Sequence, residues 1–108
     1  RINGRRVFLA GGNWIATDQS LRYSASSLRY RDELRLHRRA GLNFVRVWGG
    51  GVAERDGLYE AADESGMLVY QEFWMTGDNN GRWGGEGGWP TDGGEAFLAN
   101  AEDTVRRL

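Results

Sequence analysis

The chain has 108 residues, enough for one small domain and too few for two. A net charge of −1 gives neither the basic surface that nucleic acid requires nor the acidic excess of a solvating tail. Cysteine is absent, which excludes disulfides and thiolate metal sites, and no apolar run approaches the roughly 20 residues of a membrane span.

In chain order, Asn3-Gly4 is a hairpin-type turn signal, and the apolar run Val7 to Ala10 behind it predicts a first strand. "SLRYRDELRLHRRAG" follows, with Tyr30, Leu34 and His37 at i, i+4 and i+7 and Gly41 as the stop. That spacing predicts an amphipathic helix with a glycine cap. "LNFVRVW" is rich in β-branched and aromatic residues and predicts a second strand. "ERDGLYEAADESG" sets Leu58, Ala61 and Ala62 on one helical face and stops at Gly66, before a third strand in "MLVYQEFW". "EAFLANAEDTVRRL" predicts a last helix with Phe97, Ala101, Val105 and Leu108 as its stripe. Between them, Thr76 to Gly94 is a long polar loop rich in glycine.

The order β-α-β-α-β-loop-α implies right-handed parallel crossovers, and the apolar strands imply a sheet covered on both faces. Three strands and an unpaired last helix point to part of a larger α/β domain. In such architectures function gathers at the carboxyl ends of the strands. The first strand end offers Asn13, Trp14 and Asp18; the second, Arg46 and Trp48; the third, Gln71, Glu72, Trp74 and Asp78.

Indoles beside carboxylates, amides and a guanidinium suit a sugar, whose C–H faces stack on tryptophan and whose hydroxyls need paired donors and acceptors. A lone tryptophan at a strand end is more often packing than ligand; three in phase weigh against that. Arg46 admits a structural role too, as the ion-pair partner of Glu72. The triple glycine at 49–51 fits neither a phosphate loop nor a dinucleotide fingerprint, and serves a close approach of backbone to a ligand or a neighbouring loop. His37 reads as packed or surface histidine, and with one His and no Cys a transition-metal site has no support.

With "GGNWIATD", "VRVWGGGVAERDGLYEAADESGMLVYQEFW" and "GDNNGRWGG" assembled, the sequence resembles the catalytic barrel of glycoside hydrolase family 2. The similarity lies with β-mannosidases and mannosylglycoprotein endo-β-mannosidases and runs from "INGRRVFLAGGNW" to the last residue. "RVWGGGxxE" followed by a helix and "QEFW" is a specific combination, whereas "GGNW" alone is weak.

The resemblance implies a (β/α)8 TIM barrel, of which residues 1–108 form the N-terminal portion and first three β/α units, joined to the rest of the barrel and to flanking β-sandwich domains. It implies a β-linked mannoside as substrate, no cofactor, and a retaining mechanism with two carboxyl groups about 5–5.5 Å apart. Neither is carried over to this chain: the acid/base follows an asparagine at strand four, and the nucleophile ends strand seven. Arg46 matches the arginine beside the nucleophile, Trp48 and the glycines then form one wall of the pocket, and Glu72 falls where related enzymes place a pocket carboxylate. On this reading Trp14, Trp48 and Trp74 build the pocket, while Asn13, Asp18 and Glu72 bind hydroxyls. The glycine-rich "GDNNGRWGGEGGWPTDGG" departs from the shorter equivalent in simple exo-acting β-mannosidases, which leaves exo and endo action open. An exo-β-glucosaminidase branch, where a strand-three Glu lies near a substrate amine, is the alternative. A non-catalytic carbohydrate-binding module is the rival from another class, although such a module should form a complete fold.

Overall fold

The structure, a computed structural model, describes residues 1–18, 24–74 and 94–108. Three parallel strands, β1 (Gly11–Trp14), β2 (Phe44–Val47) and β3 (Leu68–Gln71), form one sheet in the order β1-β2-β3. Helix α1 (Ser27–Arg39) joins the first two strands, α2 (Asp56–Ser65) the next two, and α3 (Glu95–Arg107) comes last. None of the helices among the described residues is long and apolar enough to cross a membrane.

The helices start and stop where local chemistry dictates. The Ser26 hydroxyl accepts from the Arg29 N–H and caps α1. At its other end Gly41 takes φ 85°, and the Gly41 and Leu42 N–H groups return to the Arg38 and His37 carbonyls. Gly66, at φ 65°, closes α2 in the same way through Asp63 and Ala62. These paired reverse bonds satisfy carbonyls that the helix itself leaves open.

Register divides the sheet into two faces. Trp14 lies level with Val47, and Val47 with Gln71; one residue earlier, Asn13, Arg46 and Tyr70 are level. Side chains alternate across a strand, so these two rows point in opposite directions. The first row meets α1 and α2 in a core of Trp14, Tyr30, Leu34, Val45, Val47, Leu58, Ala61, Ala62 and Met67. The second row is open: Tyr70 is 55% exposed, and no layer among the described residues covers it. Continuous apolar strands predicted cover on both faces; among the described residues only one face is covered.

One strand boundary and one helix position differ from the sequence expectation. The first strand is Gly11–Trp14, immediately after the apolar run Val7 to Ala10, in which Phe8 is 86% exposed. Asn43 decides this. Its side chain accepts from the Ala10 N–H and donates to the Phe8 carbonyl, tying that run down beside the sheet. The ladder begins at Gly11, where a Cβ would collide with the Phe44 carbonyl. In α3 Phe97 and Ala101 are half-buried as the stripe predicts, but the next inward position is Thr104, and Val105 is 63% exposed. The Asn3-Gly4 turn is present, with both residues at positive φ between the bridged Ile2 and Arg5.

Candidate functional site

Three of the predicted site residues converge on the open face. Adjacent parallel strands hold Asn13 and Arg46 level, and Glu72 follows β3 by one residue. Arg46 donates from Nε to Glu72 Oε1 at 2.8 Å and from Nη1 to Asn13 Oδ1 at 2.8 Å, and its Nη2 lies 2.5 Å from Glu72 Oε1. The second carboxylate oxygen, Oε2, accepts from the Gly49 N–H at 2.9 Å. Glu72 therefore holds a guanidinium on one oxygen and a backbone donor on the other.

This arrangement sets its charge. Partial burial pushes the Glu72 carboxyl up, but the Gly49 N–H and the Arg46 guanidinium together outweigh that, and its pKa is lowered. The Arg46 and Glu72 side chains remain 36% and 22% exposed, so the pair faces solvent while staying ionised.

The glycines after β2 acquire separate reasons. Gly49 supplies the donor to Glu72. The Trp48 indole folds back over Gly50, and a Cβ there would drive into its ring. Gly51 closes the turn by donating to the Trp48 carbonyl at 3.2 Å. The predicted close approach is thus made, within this chain, by the ring of Trp48. Trp48 is half-buried beside the cluster and tethered through its N–H to the Trp14 carbonyl.

The other predicted residues go elsewhere. Trp14 is 7% exposed in the core, tilted against His37 at 5.6 Å, and its Nε1 donates to Glu54 at 3.0 Å. Strand parity explains this: Trp14 is one residue from Asn13 and must point to the helices. Its placement is a packing role rather than a place on the open face. His37 is packed as expected, with Nδ1 2.8 Å from the Glu33 carbonyl. Asp18 accepts from Ser24 in the β1–α1 loop. Gln71 shares Trp14's parity and accepts from Tyr59 under the sheet. Trp74 meets Phe73 and Phe97 edge-on at 5.8 and 5.9 Å, seating the start of α3 against the end of β3. Asp78 and the glycine-rich stretch up to residue 93 lie outside the described residues.

Sequence reasoning assigned no role to Glu54, although it closes "RVWGGGxxE". It is 2% exposed and accepts from Trp14 Nε1 at 3.0 Å, the Thr17 N–H at 3.2 Å and the Tyr30 hydroxyl at 2.6 Å. It joins the loop after β1 to the loop after β2. Desolvation, then the bond to Glu54, raises the Tyr30 pKa, so that hydroxyl stays a donor. A loop residue has no periodicity to betray its burial, and the motif was the single available signal.

A sheet whose open face carries a paired carboxylate, an arginine, an amide and a neighbouring indole is a surface suited to polyhydroxylated ligands. No family model matches the chain. It is 42% identical to a mannosylglycoprotein endo-β-mannosidase of Lilium longiflorum over its whole length, covering 11% of that protein. It is 44% identical to a β-mannosidase of Bos taurus over 68% of this chain and 8% of the relative. A crystal structure of β-D-mannosidase from Dictyoglomus thermophilum superposes with TM-score 0.56 and 40% identity, covering 64% of this chain and 8% of that one. The likeness to β-mannosidases is thus present in both sequence and fold, and that to a mannosylglycoprotein endo-β-mannosidase in sequence. The chain spans about a tenth of the length of the curated relatives it matches.

Proposed function

We propose that the chain is the N-terminal portion of a glycoside hydrolase family 2 barrel, its first three β/α units, and that the intact protein hydrolyses β-mannosides with retention. The observation that carries this reading is the Asn13–Arg46–Glu72 cluster at the carboxyl ends of three adjacent parallel strands, on the face left open. Enzymes of the barrel class build their sites at that end. In this reading Arg46 supports the nucleophile's charge, Glu72 and Asn13 bind hydroxyls, and Trp48 forms a wall. Trp74 and Asp18 border the pocket. The two catalytic carboxyl groups belong to later units of the barrel, and Glu72, already committed to Arg46 and Gly49, is neither of them.

The competing substrate is a glucosaminide, and Glu72 separates the two. Toward hydroxyls it acts as an acceptor, a role that Glu72→Gln keeps in part. Toward an ammonium group its charge is essential, and charged hydrogen bonds contribute about 1.5–3 kcal/mol against about 0.5–1.5 for neutral ones. The test compares the intact wild-type protein and Glu72→Gln on aryl β-mannoside and aryl β-glucosaminide. Hydrolysis of the mannoside that falls only moderately in the variant is the expected result. Activity confined to the glucosaminide and abolished in Glu72→Gln would overturn the assignment.

A further inference from the structure

The underside of the sheet carries a hydrogen-bond path that ends at the candidate site. The Glu54 N–H donates to the Tyr59 hydroxyl oxygen at 3.2 Å, and that hydroxyl donates to Gln71 Oε1 at 2.6 Å. Gln71 Nε2 then donates to the Glu72 carbonyl at 2.6 Å. From the other side, the Glu72 N–H donates to the Val47 carbonyl at 3.1 Å. The peptide groups on both sides of the Glu72 Cα are therefore pinned, one by strand pairing and one by the Gln71 amide.

This pinning has a specific consequence. Glu72 lies one residue past the end of β3, where no ladder bond among the described residues holds its carbonyl. Its carboxylate must nevertheless meet Gly49 N–H and Arg46 at once, at 2.9 and 2.8 Å. A small rotation of the Glu72 peptide would move both oxygens off these donors, since hydrogen bonds weaken steeply with angle. Gln71 faces away from the open side and cannot touch a ligand there. Burial raises the Tyr59 pKa, which keeps its hydroxyl protonated and able to donate to Gln71.

We propose that Tyr59 and Gln71 are positioning residues, which act from beneath the sheet to hold the Glu72 carboxylate in the orientation the sugar site requires. The proposal rests on the β-mannoside reading for its substrate. It goes beyond that reading in assigning part of the site's precision to a tyrosine on α2 with no access to the open face.

The test uses the intact protein and a double-mutant cycle. Tyr59→Phe keeps the ring, whose centre lies 5.6 Å from the Arg107 guanidinium, and removes the hydroxyl with its bonds to Gln71 and the Glu54 N–H. We expect kcat/KM on aryl β-mannoside to fall roughly tenfold, the equivalent of one lost hydrogen bond. In a Glu72→Gln background the same change should cost less than about twofold, because residues acting through one another are not additive. Ser65→Ala, which removes another α2 hydroxyl bonded to the Ala61 carbonyl, is the control and should leave kcat/KM unchanged. Equal losses from Tyr59→Phe in both backgrounds would reduce it to a general stabiliser and overturn the proposal, as would no loss in either. A crystal structure of Tyr59→Phe supplies a readout that needs no substrate. The Glu72 carboxylate is expected to leave the Gly49 N–H; an unmoved carboxylate overturns the proposal. If the wild type hydrolyses no β-mannoside, the functional reading fails, and this crystallographic result alone decides the positioning role.

Discussion

Glu54 and Glu72 stand on opposite sides of one small sheet, and each accepts hydrogen bonds at both oxygens. Glu54 is sealed at 2% exposure by neutral donors from Trp14, Thr17 and Tyr30. Glu72 is partly open and held by a charged donor, Arg46, and one backbone N–H. The difference shows how the same side chain serves two ends. A buried carboxylate ringed by neutral groups joins loops and has no surface left for a ligand. An ionised carboxylate paired at the edge of an open face presents charge that a ligand can meet.

Substitution at the sealed glutamate is the severest test of this division. Glu54→Ala would strand the Trp14 indole N–H and the Tyr30 hydroxyl inside the core and the Thr17 N–H at its edge. At about 1–3 kcal/mol per unsatisfied buried group, we expect a loss on the order of 3–5 kcal/mol in urea denaturation of the intact protein. A loss below about 1 kcal/mol would mean that these donors find other partners and that Glu54 is not a structural hub.

Arg46 belongs to the other side, and its removal should act on rate instead. Arg46→Ala is expected to lower turnover by about 2–4 kcal/mol of transition-state stabilisation, the scale for one preorganised donor, with a smaller effect on substrate binding. Steady-state kinetics on an aryl β-mannoside checks this. Unchanged turnover in a folded protein would make Arg46 a structural partner of Glu72 and erase the contrast.

Gly50→Ala sharpens the comparison at the boundary between core and open face. Its Cβ must displace the Trp48 ring, at a cost of about 1–3 kcal/mol typical of overpacking. The expected signature is a lowered melting temperature with a shifted Trp48 indole N–H resonance. A resonance that stays in place would show that the ring does not rest on Gly50.

The smallest effect is the pH dependence of the Glu72 pair. Its carboxyl is lowered from the ordinary glutamate value of 4.5 in the folded protein, so the unfolded chain takes up the proton first. The pair's contribution is therefore fully present above pH 4.5 and is lost as pH falls through the lower, folded value. The stability gap between wild type and Glu72→Gln should close on acidification below pH 4.5, measured by denaturant midpoints. A gap that widens there would reverse the sign of the shift. Exposure and salt screening keep this effect small.

Much of the fold was legible because local chemistry repeats along the chain. Tyr30 and Leu34 at helical spacing, Leu58 with Ala61 and Ala62, and the stops at Gly41 and Gly66 all follow from propensity and capping. Arg46 and Glu72 stood out because a charge at a strand end needs a reason, and their pairing was one of the two reasons on offer.

What the sequence could not reveal is which way a side chain faces once register is set. Trp14 and Asn13 are neighbours with equal claims on a sugar, yet pairing with β2 sends the indole to the helices and the amide to Arg46. Asn43 ties the apolar segment Val7 to Ala10 down beside the sheet, so that the first strand starts just after it, through two side-chain bonds that no periodicity encodes. The burial of Glu54 needs three donors from two separate segments to meet at one point, and only the packed chain brings them there. Composition and spacing determined that this protein alternates strand and helix and gathers polar groups at the strand ends. Tertiary structure decided which of those groups face outward, because a period of two turns a shift of one residue into a change of face.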